Sequence, residues 1–404
     1  MFGFTKQPKR VYLDHAAATP VSAKAAAAMA PYGSLPYANP SAIHREGVAA
    51  RHIIELAREQ LARVLGIRSE GVVFTGSGTE SNNLALGGVL EARHKTGVAY
   101  GAMEVLTTAI EHPSISRVLA AYQERGVVVR IIPVDETGRI VMTEFEKLLT
   151  PQTVLVTVGY VNSEIGTVQP LPGLARMIRS FEKTHDTRVI FHTDAAQAPL
   201  WLTCQLVALG VDTLSLDAGK CYGPKGVGVL AMKHGVELAP VLFGGGQEFG
   251  LRSGTENTPL IVGAVTALLE AQANWQTERE RVTALRDYAI EALQTIEGVV
   301  LNGDAKERVA NNVNISMRGV DAEFAVISLD AAGFAVSTKS ACSGAESGGS
   351  HVIRAISGDE ARAQSSIRIT LGRQTTKAEI DACIKALSTH IKATRIAHAT
   401  LTRS

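Results

Sequence analysis

The sequence predicts an α/β fold built on a mostly parallel sheet. Short runs rich in β-branched residues alternate with longer helical patterns through the first two thirds of the chain, and polar or glycine-rich residues follow the runs. A length of 404 residues suits one large domain and one smaller one.

The elements follow in order. AKAAAAMA at 23–30 is a helix by propensity. Residues 47–65 read as a helix with Leu56, Leu61 and Leu65 among its apolar positions and Gly66 as its stop. The strand candidates are VVFT (72–75), EVLTTA (104–109), VVVRIIPV (127–134), TVLVTVGYV (153–161), RVIFHTDA (188–195) and TLSLDA (213–218). From about Pro259 to Gly298 a helical stretch rich in Ala, Glu, Arg and Leu breaks this rhythm and reads as a connector. Beyond it lie strand candidates at 311–317 and 365–372 and helical patterns at 321–332 and 376–398. The expected division is therefore a large domain over 1–258, whose N-terminal segment can pack on the small domain, and a connecting helix with a small domain over 259–404.

Composition narrows the function classes. Hydrophobic residues at 46% and charged residues at 20% exclude disorder and fibrous folds, and a net charge of +1 gives no case for nucleic acid or an anionic membrane as partner. MFGFTKQPKR lacks the apolar core of a secretory signal and no apolar run is long enough to span a bilayer, so the expected compartment is the cytoplasm. Cys204, Cys221, Cys342 and Cys383 show no CxxC spacing, so free thiols are expected and no metal site is.

In such sheets ligands bind beyond the carboxyl ends of the strands. FTGSGTESNN (74–83) puts Gly76, Gly78 and Thr79 between a strand and a helical pattern, either as an anion cradle of bare amides or as an ordinary βα turn. Asp194 ends a strand with Gln197 just after it; the carboxylate can hold a protonated pyridine nitrogen or simply cap a helix. Lys220 and Lys225 share the loop LDAGKCYGPKGVG, where either could form a Schiff base and shuttle protons, or be solvated. Cys342 lies among small polar residues and glycines in STKSACSGAESGGSH, a setting for an accessible nucleophilic thiol. Arg368 alternates with Ile367 and Ile369 on a strand pattern and can grip a carboxylate or form an ion pair. His112, in IEHPS, can stack on an aromatic ring, move protons, or serve only as a loop residue.

In this order, these segments resemble the cysteine desulfurases of the class V aminotransferase group, the NifS/IscS-like enzymes. The resemblance runs from YLDHAAATP (12–20) through NPSAIHREG, FTGSGTESNN, EHPSI, NSEIGTVQ (162–169), TDAAQ, YGPKGVG, GGGQEFGLRSGTEN (244–257) and SACSG to SSIRITLGR. It implies the fold type I scaffold of pyridoxal 5'-phosphate enzymes and conversion of L-cysteine to L-alanine, with sulfur kept as a persulfide on Cys342. By resemblance Lys220 is the Schiff-base lysine and proton shuttle, Asp194 pairs with the pyridine nitrogen, and His112 stacks on the ring. Gln197 and Asn162 bond at or near its phenolic oxygen, Asn162 also bordering the substrate. Gly78 and Thr79 match the phosphate cup, and Thr255 a threonine that reaches the phosphate from the other subunit of a homodimer. Arg368 matches the arginine for the substrate carboxylate. The long segment after Cys342 resembles desulfurases that hand the persulfide directly to an acceptor protein, an iron–sulfur scaffold or a tRNA-thiolation carrier.

The chain departs from that pattern where similar proteins read Ser-Gly-His-Lys, since here the residues are Asp217, Ala218, Gly219 and Lys220. A carboxylate about 4 Å from a phosphate costs roughly 4 kcal/mol per pair of unit charges at an effective dielectric near 20. The expectation is that Asp217 points away and that Thr79, Thr255 and the helix amides keep the phosphate. Ser163, in place of a second asparagine, is a milder change. The alternatives are a selenocysteine lyase or related enzyme of the same fold, and a degenerate, non-catalytic scaffold.

Overall fold

The predicted runs pair into sheets in a computed structural model that describes residues 10–34, 37–338 and 348–401, with side chains as far as 397. After the short strand Val11–Tyr12 (β1) come Val72–Thr75 (β2), Glu104–Thr108 (β3), Val128–Ile132 (β4), Thr153–Thr157 (β5), Ile190–Asp194 (β6), Thr213–Asp217 (β7) and Gly228–Met232 (β8). Strands β2 to β8 form one sheet in the order β2-β8-β7-β6-β5-β3-β4. β8 is antiparallel to β2 and β7, and the remaining pairs are parallel.

β8 has no counterpart among the predicted strands, for a physical reason. All its residues are buried, so no polar alternation marks it, and it follows a Gly/Pro-rich loop.

Period-two alternation distributes the other strands between two apolar layers. Val73, Val105 and Leu155 face a cluster with Leu84, Leu86, Ile115 and Leu119 from the helices Gly78–Lys95 and Pro113–Glu124. Phe74, Leu106 and Val156 face the larger cluster, which takes Leu171, Leu174 and Ile178 from helix Leu171–His185 and Ile261, Val265 and Leu268 from helix Thr258–Gln294. Helix Arg45–Leu65 ends at Gly66 in the left-handed region, φ 70, the stop that the sequence predicted.

The 37-residue helix Thr258–Gln294 leads to a second, antiparallel sheet of Val299–Leu301 (β9), Asn312–Met317 (β10) and Ser366–Thr370, in which β10 is central. Phe334–Ala335 (β11) pairs in parallel with β1; Ser366–Thr370 is β12. No helix among the described residues is long and apolar enough to cross a membrane.

The two sheets meet at the loop 162–169. The Val168 amide donates to Glu307 O and the Val309 amide to Gly166 O, each at 2.9 Å. The carboxamides of Asn312 and Asn314 donate to Glu164 O. Gly166 has φ 73, and a Cβ there would lie 2.7 Å from Asn312 Cβ. Both the backbone conformation and the contact exclude a side chain. Gly166→Ala is therefore expected to lower unfolding stability by about 1–3 kcal/mol, which urea denaturation followed by circular dichroism measures; an unchanged midpoint contradicts this account of the junction.

Candidate active site

Because β3, β5, β6 and β7 are parallel, the loops leaving their carboxyl ends gather on one edge of the sheet. They line a cavity into which come Glu111 and His112 after β3, Asn162 and Ser163 after β5, Asp194 and Gln197 at and after the end of β6, and Lys220 after β7. Of the two lysines in the glycine-rich loop, only Lys220 lines this cavity. Lys225 turns to the N-terminal segment, where its ammonium donates to Thr19 O.

Asp194 is held on both oxygens. Oδ1 accepts from the Ala196 amide at 2.9 Å and Oδ2 from Asn82 Nδ2 at 2.8 Å. Asn82, buried on helix Gly78–Lys95, also donates to Ser114 Oγ at 2.8 Å, while its own oxygen faces His192 Nε2 at 3.3 Å. His192 Nδ1 lies 2.9 Å from Thr213 Oγ1, and burial lowers its pKa to about 4, so the ring is neutral beneath Asp194.

His112 is the N-cap of helix Pro113–Glu124. Its Nδ1 accepts from the Ser114 amide at 3.1 Å and lies 2.7 Å from Ser114 Oγ. In the neutral ring this leaves the proton on Nε2. Burial first, and the Lys220 charge second, lower its pKa. Gln197 lines the cavity and donates to Ala16 O at 2.8 Å. Asn162 is more structural than the sequence suggested: its oxygen accepts from the Glu164 and Ile165 amides and its nitrogen donates to Ile110 O.

Arg368 is buried on β12, behind the cavity wall. It donates to Ser163 O at 2.9 Å and pairs with Asp14 at 2.8 Å, while its Nε has no partner. Thr255 is exposed and borders a different cavity, beside Thr75 and Gly76. Cys342 lies outside the described residues. The other three cysteines are buried, and burial raises each thiol pKa, that of Cys383 to about 12.

The expectation for Asp217 is overturned. Its Oδ1 accepts from the Gly219 amide at 2.9 Å and its Oδ2 faces the Gly78 amide at 3.4 Å, so the carboxylate turns toward the helix N-terminus. The cause lies in the sheet: β8 runs backwards between β2 and β7, leaves no carboxyl-end loop of its own there, and lets the loops after β2 and β7 meet. Thr79 is exposed beside Gly78.

Sequence reasoning did not single out Asn82, Glu111, Glu164 or His351. All four stood inside quoted motifs, and for Asn82, Glu111 and Glu164 polarity in a buried segment was the available signal. Glu164 accepts from Ser350 Oγ, and His351 Nε2 lies 3.3 Å from Glu111 O, so the start of helix His351–Ser357 docks on the cavity rim.

The family described as aminotransferase class-V matches residues 11–383. The chain belongs to that family. It is 37% identical to "Cysteine desulfurase IscS" of Dictyoglomus turgidum over 388 residues, 96% of each chain, and 37% identical to "Cysteine desulfurase IscS 1" of Archaeoglobus fulgidus over 93% of this chain and 95% of the other. A solved structure described as "NIFS-LIKE PROTEIN" aligns at TM-score 0.86 and 32% identity, covering 94% of this chain and 98% of that one. Another, "SspA in complex with cysteine", aligns at TM-score 0.75 and 32% identity, covering 89% and 98%. For this class-V member, the comparisons bear out the fold type I scaffold, the pyridoxal phosphate dependence and the cysteine desulfurase class anticipated from the sequence, and none supports the alternatives.

The residues fit the cofactor unevenly. Asp194, His112, Gln197 and Lys220 supply the acid, wall, acceptor and amine that a pyridine aldehyde requires, and the orphaned Nε of Arg368 has a hydrogen bond to give. At the helix N-terminus the phosphate would meet Asp217.

Glu111 gives a test that does not involve the cofactor. It accepts from Thr108 Oγ1 at 2.7 Å and from the Gly159 amide at 3.0 Å, yet burial raises its pKa from 4.5 to about 7. A carboxyl with a raised folded pKa stabilises the fold below its unfolded pKa, and this contribution is lost as pH rises through the folded value. The melting temperature of the wild type should therefore fall relative to Glu111→Gln between about pH 4.5 and 7; parallel melting curves across that window contradict the assignment.

Proposed function

We propose that this protein converts L-cysteine to L-alanine and keeps the sulfur as a persulfide on Cys342 for delivery to a sulfur-acceptor protein. The observation that carries the reading is the convergence of Lys220, Asp194 and His112 on one cavity at the carboxyl edge of the sheet. Pyridoxal phosphate, when bound, supplies an aldehyde for the substrate amine and a ring that accepts electrons.

The chain's own residues supply the rest. Lys220 Nζ takes the Cα proton of cysteine and returns it as product forms. Asp194, fixed by Asn82 and the Ala196 amide, presents a carboxylate to the ring nitrogen. The neutral His112 ring walls the cavity without adding a charge beside Lys220. Gln197 offers its oxygen, and Asn162 fixes the loop that carries Ser163. Arg368 takes the substrate carboxylate, its unpaired Nε and its proximity to Ser163 supporting the role.

The sulfur step conserves atoms. Cys342 thiolate attacks the substrate sulfur, an S–S bond forms as the Cβ–S bond breaks, and the carbon takes the electron pair and then a proton. Cys204, Cys221 and Cys383 are buried with raised thiol pKa values, which supports Cys342 as the nucleophile. The length of the segment from Cys342 to Ser350 supports direct hand-over to the acceptor, and unpaired thiols support a reducing compartment, the cytoplasm.

A homodimer completes the reading. Thr255 is exposed and apart from its own chain's cavity, and in the same stretch of sequence Phe243 is 78% and Phe249 53% exposed. Large apolar side chains left exposed near Thr255 support a protein–protein contact there.

Three variants test these roles. Lys220→Ala should lower alanine and sulfide formation from L-cysteine by about a hundredfold or more and lose the visible absorbance of bound cofactor. Cys342→Ala should keep that absorbance and lose sulfide release; turnover surviving in either variant contradicts its role. Phe243→Glu is expected to shift sedimentation from dimer to monomer and to weaken cofactor retention, and a variant that stays dimeric removes Phe243 from the interface.

A further inference from the structure

At the N-terminus of helix Gly78–Lys95 this chain's own charge stands in the way of an anion. Three amides at this end are engaged from within: the Gly76 amide donates to Glu80 at 2.8 Å, the Glu80 amide to Ser77 Oγ at 3.1 Å, and the Gly78 amide faces Asp217 Oδ2 at 3.4 Å. The two carboxylates differ. Glu80 is neutralised by Arg252 at 2.7 Å, whereas Asp217 is joined only to amides, those of Gly78 and Gly219, among the described residues. The Asp217 charge therefore rests on the same positive helix end that favours phosphate.

The approach is close and fixed. A Cβ on Gly78 would lie 3.1 Å from Asp217 Cβ, and Asp217 is paired across the sheet with Gly228. The backbone of Asp217 therefore cannot withdraw without unpairing β7 from β8. Only side-chain rotation can clear the cradle, and it breaks the bond to Gly219 in the turn that carries Lys220.

We propose that Asp217 is an internal occupant of the phosphate cradle, so that the phosphate adds little to cofactor affinity and the site discriminates weakly between pyridoxal phosphate and unphosphorylated pyridoxal. The inference rests on the cofactor reading above and concerns a residue particular to this chain's version of the lysine loop. It assigns Asp217 a specificity role in cofactor capture, exerted through charge at the phosphate end and separate from the chemistry at Lys220.

Dissociation constants for pyridoxal phosphate and for pyridoxal decide the matter, measured on the full-length protein stripped of cofactor, by difference absorbance and by intrinsic tryptophan fluorescence. Asp217→Asn removes the charge while keeping the shape and the acceptor for Gly219; Asp217→Ser repeats the test with a smaller side chain. Cofactor-free thermal melts establish that each variant is folded. The expected result is tighter binding of pyridoxal phosphate by about tenfold or more in both variants, with pyridoxal affinity unchanged. If both ligands shift equally, or neither shifts, Asp217 does not occupy the cradle and the inference is overturned while the cofactor reading stands. If neither ligand binds wild type or variants, both fall.

Discussion

Parallel pairing is the constraint on which this molecule depends. Strands β3, β5, β6 and β7 run in one direction, so their carboxyl ends and the loops that follow share an edge. Parallel neighbours require crossover connections, and the crossovers bury both faces of the sheet. The same geometry buries both faces of the strands, so the polar side chains within them, such as His192 and Thr213, bond one another, and the cavity-lining groups gather at the carboxyl edge. The single reversed strand between β2 and β7 refines this arrangement. It opens the edge at one point and brings the glycine-rich start of helix Gly78–Lys95 against the lysine loop, joining two parts of the site that are separated by 139 residues in sequence.

Asn82 is the fastening beneath the site. One carboxamide bonds Asp194, Ser114 and the neutral His192, and through Ser114 it reaches His112. Placed in a buried layer, such a network is costly when partly satisfied and rigid when complete. Its members orient the acid and the wall of the cavity without bringing a second positive charge under Asp194, because burial keeps His192 neutral. Glu111 belongs to the same wall, and its raised pKa records the same lack of solvent.

Strands and helices were legible because their residues carry periodicity of their own, and the edge of the sheet was legible because polar residues follow apolar runs. The residues left open were those whose roles depend on partners distant in sequence. Nothing local separates Lys220 from Lys225; what separates them is that Lys225 bonds Thr19, from the opposite end of the large sheet's chain segment. Asp217 was expected to turn away on the ground of charge repulsion with a phosphate. That argument omitted the helix amide, which attracts Asp217 for the same reason that it attracts phosphate. Asn82 resembled one more polar residue of a helix start, and β8 offered no alternation because both of its faces are covered.

The segment carrying Cys342 is bounded by two anchors, and both are fastened to the site. Ser337 exchanges both backbone hydrogen bonds with Arg368, the arginine behind the Ser163 wall. Ser350 donates to Glu164, whose loop also carries Asn162 and Ser163, and the next residue, His351, rests on the Glu111 carbonyl. Cys342 is separated from Ser337 by five peptide units, a reach of at most roughly 18 Å when fully extended. That bound on chain length is compatible with the role proposed for Cys342, because its anchor Ser337 is paired with Arg368 itself. The described anchors therefore tie both ends of the segment to the candidate site, one through Arg368 and the other through Glu164 and Glu111.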